Sequence, residues 1–262
     1  MTEPAKETEA PQKPVVEIVA LSKRYGRTQA LHNVTMDVGE GEALCVIGPN
    51  GAGKTSFLFL LGGILFPSSG HVHVFGMHRW KENFQIRRRS ITQPTEPIFG
   101  ESPTPYEYFR FVAQIYNMPR EDFVRKLKQL CVDMDFTDHV TKGWARMSTG
   151  LRKKAALIAA FLPEVDLRIL DEPFAGGIDP IAVEVLYQWI FEARDRGETI
   201  VFSSQVLEHA ANVGSRVLFL REGRVEHLGT ILSLIESAGV DPHSPRALAE
   251  AFQRLMRIHL ES

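Results

Sequence analysis

The chain has 262 residues, 44% of them hydrophobic and 24% charged, the profile of a soluble globular protein large enough for one full core plus a subdomain. Its formal net charge of −2 gives no sequence-wide attraction to nucleic acid or acidic lipid. No nucleic-acid partner is expected, and any anion must be held by a local pocket. Cys45 and Cys131 are the only cysteines, a usage that points to a reduced compartment and packed thiols.

The opening MTEPAKETEAPQKP is rich in Pro, Glu and Lys and reads as a disordered lead over residues 1–14, not a signal peptide. VVEIVA and ALHNVTMDV have the β-branched content of strands, with SKRYGRTQ as the turn between them. ALCVIG is a continuous apolar run, as a strand buried on both faces should be, and TSFLFLLGGIL has helical periodicity. The apolar run SFLFLLGGILF has 11 residues, short of the roughly 20 that span a bilayer. HVHVFG alternates like another strand. Residues 103–161 hold amphipathic runs and no convincing strand, so a helical insert is expected. LRIL, TIVFSS and RVLFLREGRVEHLG then supply strands, with the helical IAVEVLYQWIFEARDRG between the first two, a pattern that implies a parallel sheet. SPRALAEAFQRLMRIHL closes the chain as an amphipathic helix begun by a Ser-Pro start signal.

GPNGAGKT, from Gly48 through Pro49, Asn50, Gly51, Ala52, Gly53 and Lys54 to Thr55, fits G-x-x-x-x-G-K-[ST] between a buried strand and a helix, and with the following Ser56 is the expected nucleotide-binding stretch. Glycines there let backbone N–H groups turn toward a polyphosphate, Lys54 adds a point charge on its β- and γ-phosphates, and the Thr55 hydroxyl suits Mg²⁺. Asp171 and Glu172 follow the buried strand LRIL, at the sheet edge where open α/β folds bind ligands. Asp171 suits Mg²⁺ through water, and Glu172 suits polarising a water for attack on the γ-phosphate; elsewhere such an acid pair is more often a helix start.

GPNGAGKT, Gln93 in SITQP, MSTGLRKK opening a helix, LRILDEP, a loop ending at Asp179 and the corner SSQVLEH come in one order across nearly the whole chain. Together they resemble the nucleotide-binding subunit of an ATP-binding cassette (ABC) transporter, of the bacterial type made as a separate chain. The resemblance implies an α/β P-loop NTPase core with a mostly parallel sheet, an antiparallel β entry subdomain and a helical subdomain. It implies an ATPase domain over 15–240 with the helical insert at about 95–160, and a helical tail over 241–262. Tyr25 then stacks on adenine, Gln93 touches Mg²⁺ and links to a permease, and Ser148 and Gly150 contact the γ-phosphate held by a partner cassette. ATP and Mg²⁺ are the implied cofactors; an integral-membrane permease and a second cassette, identical or not, are the implied partners. The implied place is cytoplasmic, peripheral on the inner face of the cell membrane through the permease. ATP binding would close the dimer and hydrolysis reopen it, a ligand-driven population shift.

The departures from the family pattern are specific. Thr149 stands at the signature's first glycine and Leu151 at its glutamine. The loop EPFAGGIDP is one glycine longer than usual, which shifts Asp179. Gln205 replaces the switch histidine, and His209 lies one helical turn beyond it, about 6 Å along the axis, so it is no simple substitute. Glutamine offers a donor and an acceptor to the γ-phosphate and the attacking water without an imidazolium's charge, so hydrolysis is expected to be slow rather than absent. Two functions remain in play, a transporter ATPase and a nucleotide-responsive module that hydrolyses poorly; a soluble regulatory or translation-type cassette typically carries two cassettes in one chain or long insertions, and neither is read here.

Lesser features read more plainly. His71, His73 and His78 read as strand residues rather than metal ligands, and Arg87, Arg88 and Arg89 as a solvated helix face. The aromatic run PYEYFRFVAQIY either grips a permease helix through residues such as Tyr106 and Phe109 or packs the insert's own core.

Overall fold

The computed structural model describes residues 14–96, 103–244 and 246–257. Residues 1–13 of the lead, Pro245 of the Ser-Pro signal and residues 258–262 of the tail lie outside the described residues, as do 97–102 of the insert. In chain order, β1 (Val16–Tyr25) and β2 (Thr28–Val38) form a hairpin, β3 (Ala43–Ile47) leads to α1 (Lys54–Leu61), and β4 (Ser69–Val74) with β5 (Met77–His78) follows. Next come α2 (Asn83–Arg87), β6 (Ser90–Gln93), α3 (Pro105–Ile115), α4 (Arg120–Asp133) and α5 (Thr149–Phe161). The chain then alternates through β7 (Leu167–Leu170), α6 (Pro180–Asp195), β8 (Thr199–Ser204), α7 (Leu207–Val213), β9 (Arg216–Arg221) and β10 (Arg224–Gly229), and ends on α8 (Ile231–Ser237) and α9 (Ala247–Arg257).

These strands make an antiparallel sheet, ordered β2-β1-β4-β5, and a larger one, ordered β10-β9-β3-β8-β7-β6, in which only β10 runs antiparallel to its neighbour. The expected architecture is therefore the one observed, with one shift at the start. SKRYGRTQ is mostly strand, because Gly26 at φ 57° lets the chain reverse within Gly26 and Arg27.

The continuous apolar run of β3 has a direct cause. Leu44 and Val46 face the antiparallel sheet and α1, while Ala43, Cys45 and Ile47 face the helices on the other side, so both faces are covered. In β8, Val201 joins the first core and Ile200 and Phe202 the second. Burial pushes the Cys45 thiol well up and the Cys131 thiol up to about 12, leaving both as inert packed groups.

Two buried arginines fix the helices whose first turns frame the site. Arg79 donates to the carbonyls of Leu61 and Gly62 at the end of α1 and to Asn83 Oδ1. Arg168 donates to the Ala160 and Pro163 carbonyls at the end of α5 and pairs with Glu198 at 2.6 Å. Each cation thus satisfies carbonyls that a helix end leaves open and favours its negative dipole end.

Phe109 is fully buried against Phe136, so of the two aromatic docking candidates it belongs to the core. Tyr106 stays partly exposed. Arg87, Arg88 and Arg89 are exposed, yet each has a partner: the Gly63 carbonyl for Arg87, the Phe84 ring for Arg88, and Asp166 with the Phe75 ring for Arg89. His71, His73 and His78 sit together at the edge of the small sheet, with His73 edge-on to His78 at 5.6 Å.

Candidate nucleotide site

The site lies along the C-terminal edge of the large sheet, where β3, β8, β7 and β6 are neighbours. The phosphate loop runs from Gly48 to Gly53. A Cβ on Gly48 would lie 2.1 Å from the Leu220 carbonyl oxygen and one on Gly53 2.4 Å from the Ala30 oxygen, so both positions exclude every other residue. Both also have positive φ, as does Gly51, whose surroundings are open space. Gly53 caps α1 with no side-chain hydrogen bond, leaving the amides of that first turn for an anion to satisfy. Pro49, Asn50 and Ala52 complete the loop, closed by the Ala52 N–H donating to the Pro49 carbonyl.

Lys54 is buried and curls back to donate to the carbonyls of Gly48 at 2.8 Å and Pro49 at 3.2 Å. Burial lowers its pKa, while Glu172 and Asp171 pull the other way. Thr55 donates to Asp171 Oδ2 at 2.9 Å, placing both proposed Mg²⁺ oxygens side by side. Ser56 meets the Tyr25 hydroxyl at 3.2 Å, which brings Tyr25 to the loop, and Lys23 lies 4.9 Å from the centre of its ring.

Asp171 is buried and accepts two more hydroxyls: Thr95 on Oδ2 at 2.7 Å and Ser203 on Oδ1 at 2.7 Å. The Ser203 oxygen in turn accepts the Glu172 N–H at 2.8 Å. Glu172 has φ 47°, a left-handed conformation that costs a residue with a side chain on the order of 1 kcal/mol or more, and the Ser203 bond helps hold it there. Burial pushes the Glu172 carboxyl above the usual range, opposed by the Lys54 charge and by the nearby Gln205 amide groups. Glu172 Oε1 is buried without a hydrogen-bond donor among the described residues, 3.8 Å from Lys54 Nζ. A buried carboxylate oxygen without a donor beside a lysine fits a site meant for a water or a phosphoryl oxygen.

The remaining sequence candidates divide. Gln93 is buried at the end of β6 beside Asp171, whose N–H donates to the Gln93 carbonyl, but its side-chain amide donates to the Pro94 carbonyl at 2.6 Å. Ser148 caps α5 by accepting the Leu151 N–H, and the Leu151 side chain packs on the core. Asp179 caps α6 through the Ala182 N–H and pairs with Lys154 at 2.6 Å, which hold its carboxyl below the usual range. The extra glycine has a visible consequence. Gly176 and Gly177 both have positive φ, and the Gly177 carbonyl lies so close to Gly150 that a Cβ there would meet it at 2.6 Å. Its loop therefore rests on this chain's own signature turn. His209 stacks on Phe174 at 4.1 Å and bonds the Tyr187 hydroxyl at 2.6 Å, so it serves the wall behind the loop.

Thr95, Ser203 and Lys153 were not singled out by the motifs. Ser203 had a signal in retrospect, a polar residue inside a strand buried on both faces. Thr95 lies in a loop whose path no periodicity fixes.

With this geometry in hand, the comparisons are specific. Residues 31–175 match the family described as ABC transporter. The ABC-type transporter ATP-binding protein EcsA of Bacillus subtilis is 28% identical over 220 residues, covering 84% of this chain and 89% of that protein. An ABC transporter ATP-binding protein of Methanopyrus kandleri is 30% identical over 224 residues, covering 82% and 83%. Among solved structures, an ATP binding subunit of an ABC transporter superposes with TM-score 0.84 at 29% identity, covering 92% of this chain and 99% of that one. A dimeric cassette bound to ADP and Pi superposes with TM-score 0.74 at 21% identity, over 82% of this chain and 98% of that one, a likeness of fold.

Ser203→Ala would strip Asp171 Oδ1 and the Glu172 N–H of their shared partner. It is expected to destabilise the chain by about 1–3 kcal/mol, read as a lower denaturant midpoint at unchanged m-value; an unchanged midpoint would show the hydroxyl to be idle.

Proposed function

The chain belongs to the ABC transporter family, and from that membership we propose that it is the ATP-binding and ATP-hydrolysing subunit of a membrane transporter, working as one half of an ATP-closed dimer. The observation that carries the hydrolytic part is the partly buried Glu172 carboxylate beside Lys54, whose Oε1 is buried and lacks a donor among the described residues. In this reading the phosphate loop and Lys54 hold the triphosphate, and Tyr25 carries the adenine. Thr55, Asp171 and Gln93 are the residues that would hold Mg²⁺, and when bound that ion supplies charge neutralisation at the β- and γ-phosphates. Glu172 accepts a proton from water as the water oxygen bonds to the γ-phosphorus and the bridging oxygen leaves with ADP. Its raised pKa suits a proton acceptor.

Ser148 and Gly150 head α5, and they are assigned to the nucleotide of the second cassette rather than to this chain's own. Asp179 belongs to the loop beside them and shares in the closed interface. The permease is assigned to a groove of about 450 Å³ between α3 and α4, lined by Tyr106, Arg110, Met118, Phe123 and Val124. Docking there would hold the chain on the inner face of the cell membrane; among the described residues no helix is long and apolar enough to cross one.

A second reading, a nucleotide-responsive module that dimerises on ATP and hydrolyses very slowly, is favoured by Gln205. Gln205 lies beside Glu172, where it favours the ionised carboxylate but brings no imidazolium charge to the γ-phosphate. A loss of roughly 3 kcal/mol of transition-state stabilisation would slow turnover about a hundredfold, so slow hydrolysis is the expected state.

Turnover of the chain assembled with its co-expressed permease tests the pair. Wild type is expected to exceed Glu172→Gln, and Gln205→His to raise turnover further; equal inactivity of wild type and Glu172→Gln would end the enzyme reading. Tyr106→Ala is expected to lose co-purification with the permease while keeping ATP binding, and retained co-purification would move the docking surface elsewhere.

A further inference from the structure

Lys153 and Lys154 are consecutive buried lysines in α5, and no motif assigns either a task. Two adjacent lysines at or below 8% exposure need partners, since a buried ammonium is costly unless it is paired and hydrogen-bonded. Both partners lie in the loops that follow the catalytic strands. Lys154 pairs with Asp179 at 2.6 Å. Lys153 donates to the Thr95 carbonyl at 3.4 Å, and its stem runs under Gly176, where a Cβ would touch its Cγ at 3.6 Å. Thr95 in turn donates its hydroxyl to Asp171 Oδ2 at 2.7 Å. A line of contacts therefore runs from the signature helix through Lys153 and Thr95 to the proposed metal ligand. Asp171 and Glu172 are close enough to favour the Lys153 charge, against burial that lowers its pKa to about 8.

We propose that Lys153 is a positioning residue for hydrolysis, which fixes Thr95 and through it the Asp171 carboxylate relative to the signature helix. A partner's triphosphate seated on α5 is then registered at this chain's own Asp171–Glu172 pair, with the Lys154–Asp179 pair holding the other flank. Lys153 touches no nucleotide in this arrangement, so its loss leaves ATP affinity in place and lowers the rate. This inference rests on the hydrolysis reading above.

The test is a double-mutant cycle in the full chain assembled with its permease, with ATP binding measured separately by a fluorescent ATP analogue. Lys153→Met is expected to lower kcat about tenfold with analogue affinity within about twofold of wild type, Lys153→Arg to restore most of the rate, and Lys153→Met to add little in a Thr95→Val background. Should Lys153→Met fail to fold, Lys153→Gln carries the same expectation. An unchanged kcat, a loss that adds fully to that of Thr95→Val, or a parallel loss of analogue binding would overturn the role of Lys153. Glu172→Gln runs alongside: wild type no faster than that variant overturns hydrolysis and Lys153 together, whereas a clear gap between them with Lys153→Met at the wild-type rate overturns Lys153 alone.

Discussion

The buried carboxylate of Asp171 is the interaction on which the site depends. Its two oxygens accept hydroxyls from Thr55 at the start of α1, Thr95 after β6 and Ser203 near the end of β8. A carboxylate buried without such donors would cost several kcal/mol, so its burial obliges three separate segments to converge on the end of β7. Only a sheet in which β7 lies between β8 and β6, with β3 next to β8, brings them there. The same Ser203 hydroxyl that serves Asp171 also holds the Glu172 N–H in a left-handed turn, so the proposed metal ligand and the proposed base are set by one side chain.

The departures from the family pattern act around this node and not on it. Leu151 packs its partly buried apolar side chain against the core. The extra glycine lets the loop before Asp179 fold back onto Gly150, joining signature turn and loop within one chain. Gln205 lies beside Glu172 and favours its ionised form without adding a charge. Each change leaves the residues of the phosphate loop, Lys54 and Asp171 unaltered.

Much of this was legible in the sequence because the residues responsible are forced by backbone geometry. Gly48 and Gly53 leave no room for a Cβ, and β3 must be apolar on both faces, so GPNGAGKT after ALCVIG carries its meaning locally. Turn boundaries were less legible: SKRYGRTQ looks polar and loop-like, yet most of it pairs in β1 and β2 because an exposed hairpin tolerates polar side chains. Side-chain destinations were least so. Gln93 folding onto Pro94, Phe109 filling the core, and Lys153 reaching Thr95 across 58 positions depend on tertiary packing that no local pattern encodes.

The central claim is that each chain holds half of two nucleotide sites, with the triphosphate of one chain closed off by the signature turn of the other. Light scattering on Glu172→Gln, which is expected to bind ATP without consuming it, tests this most directly. The account predicts that the solution mass doubles on adding ATP and Mg²⁺ and stays monomeric with Lys54→Ala added. A mass that does not change at saturating ATP would contradict it.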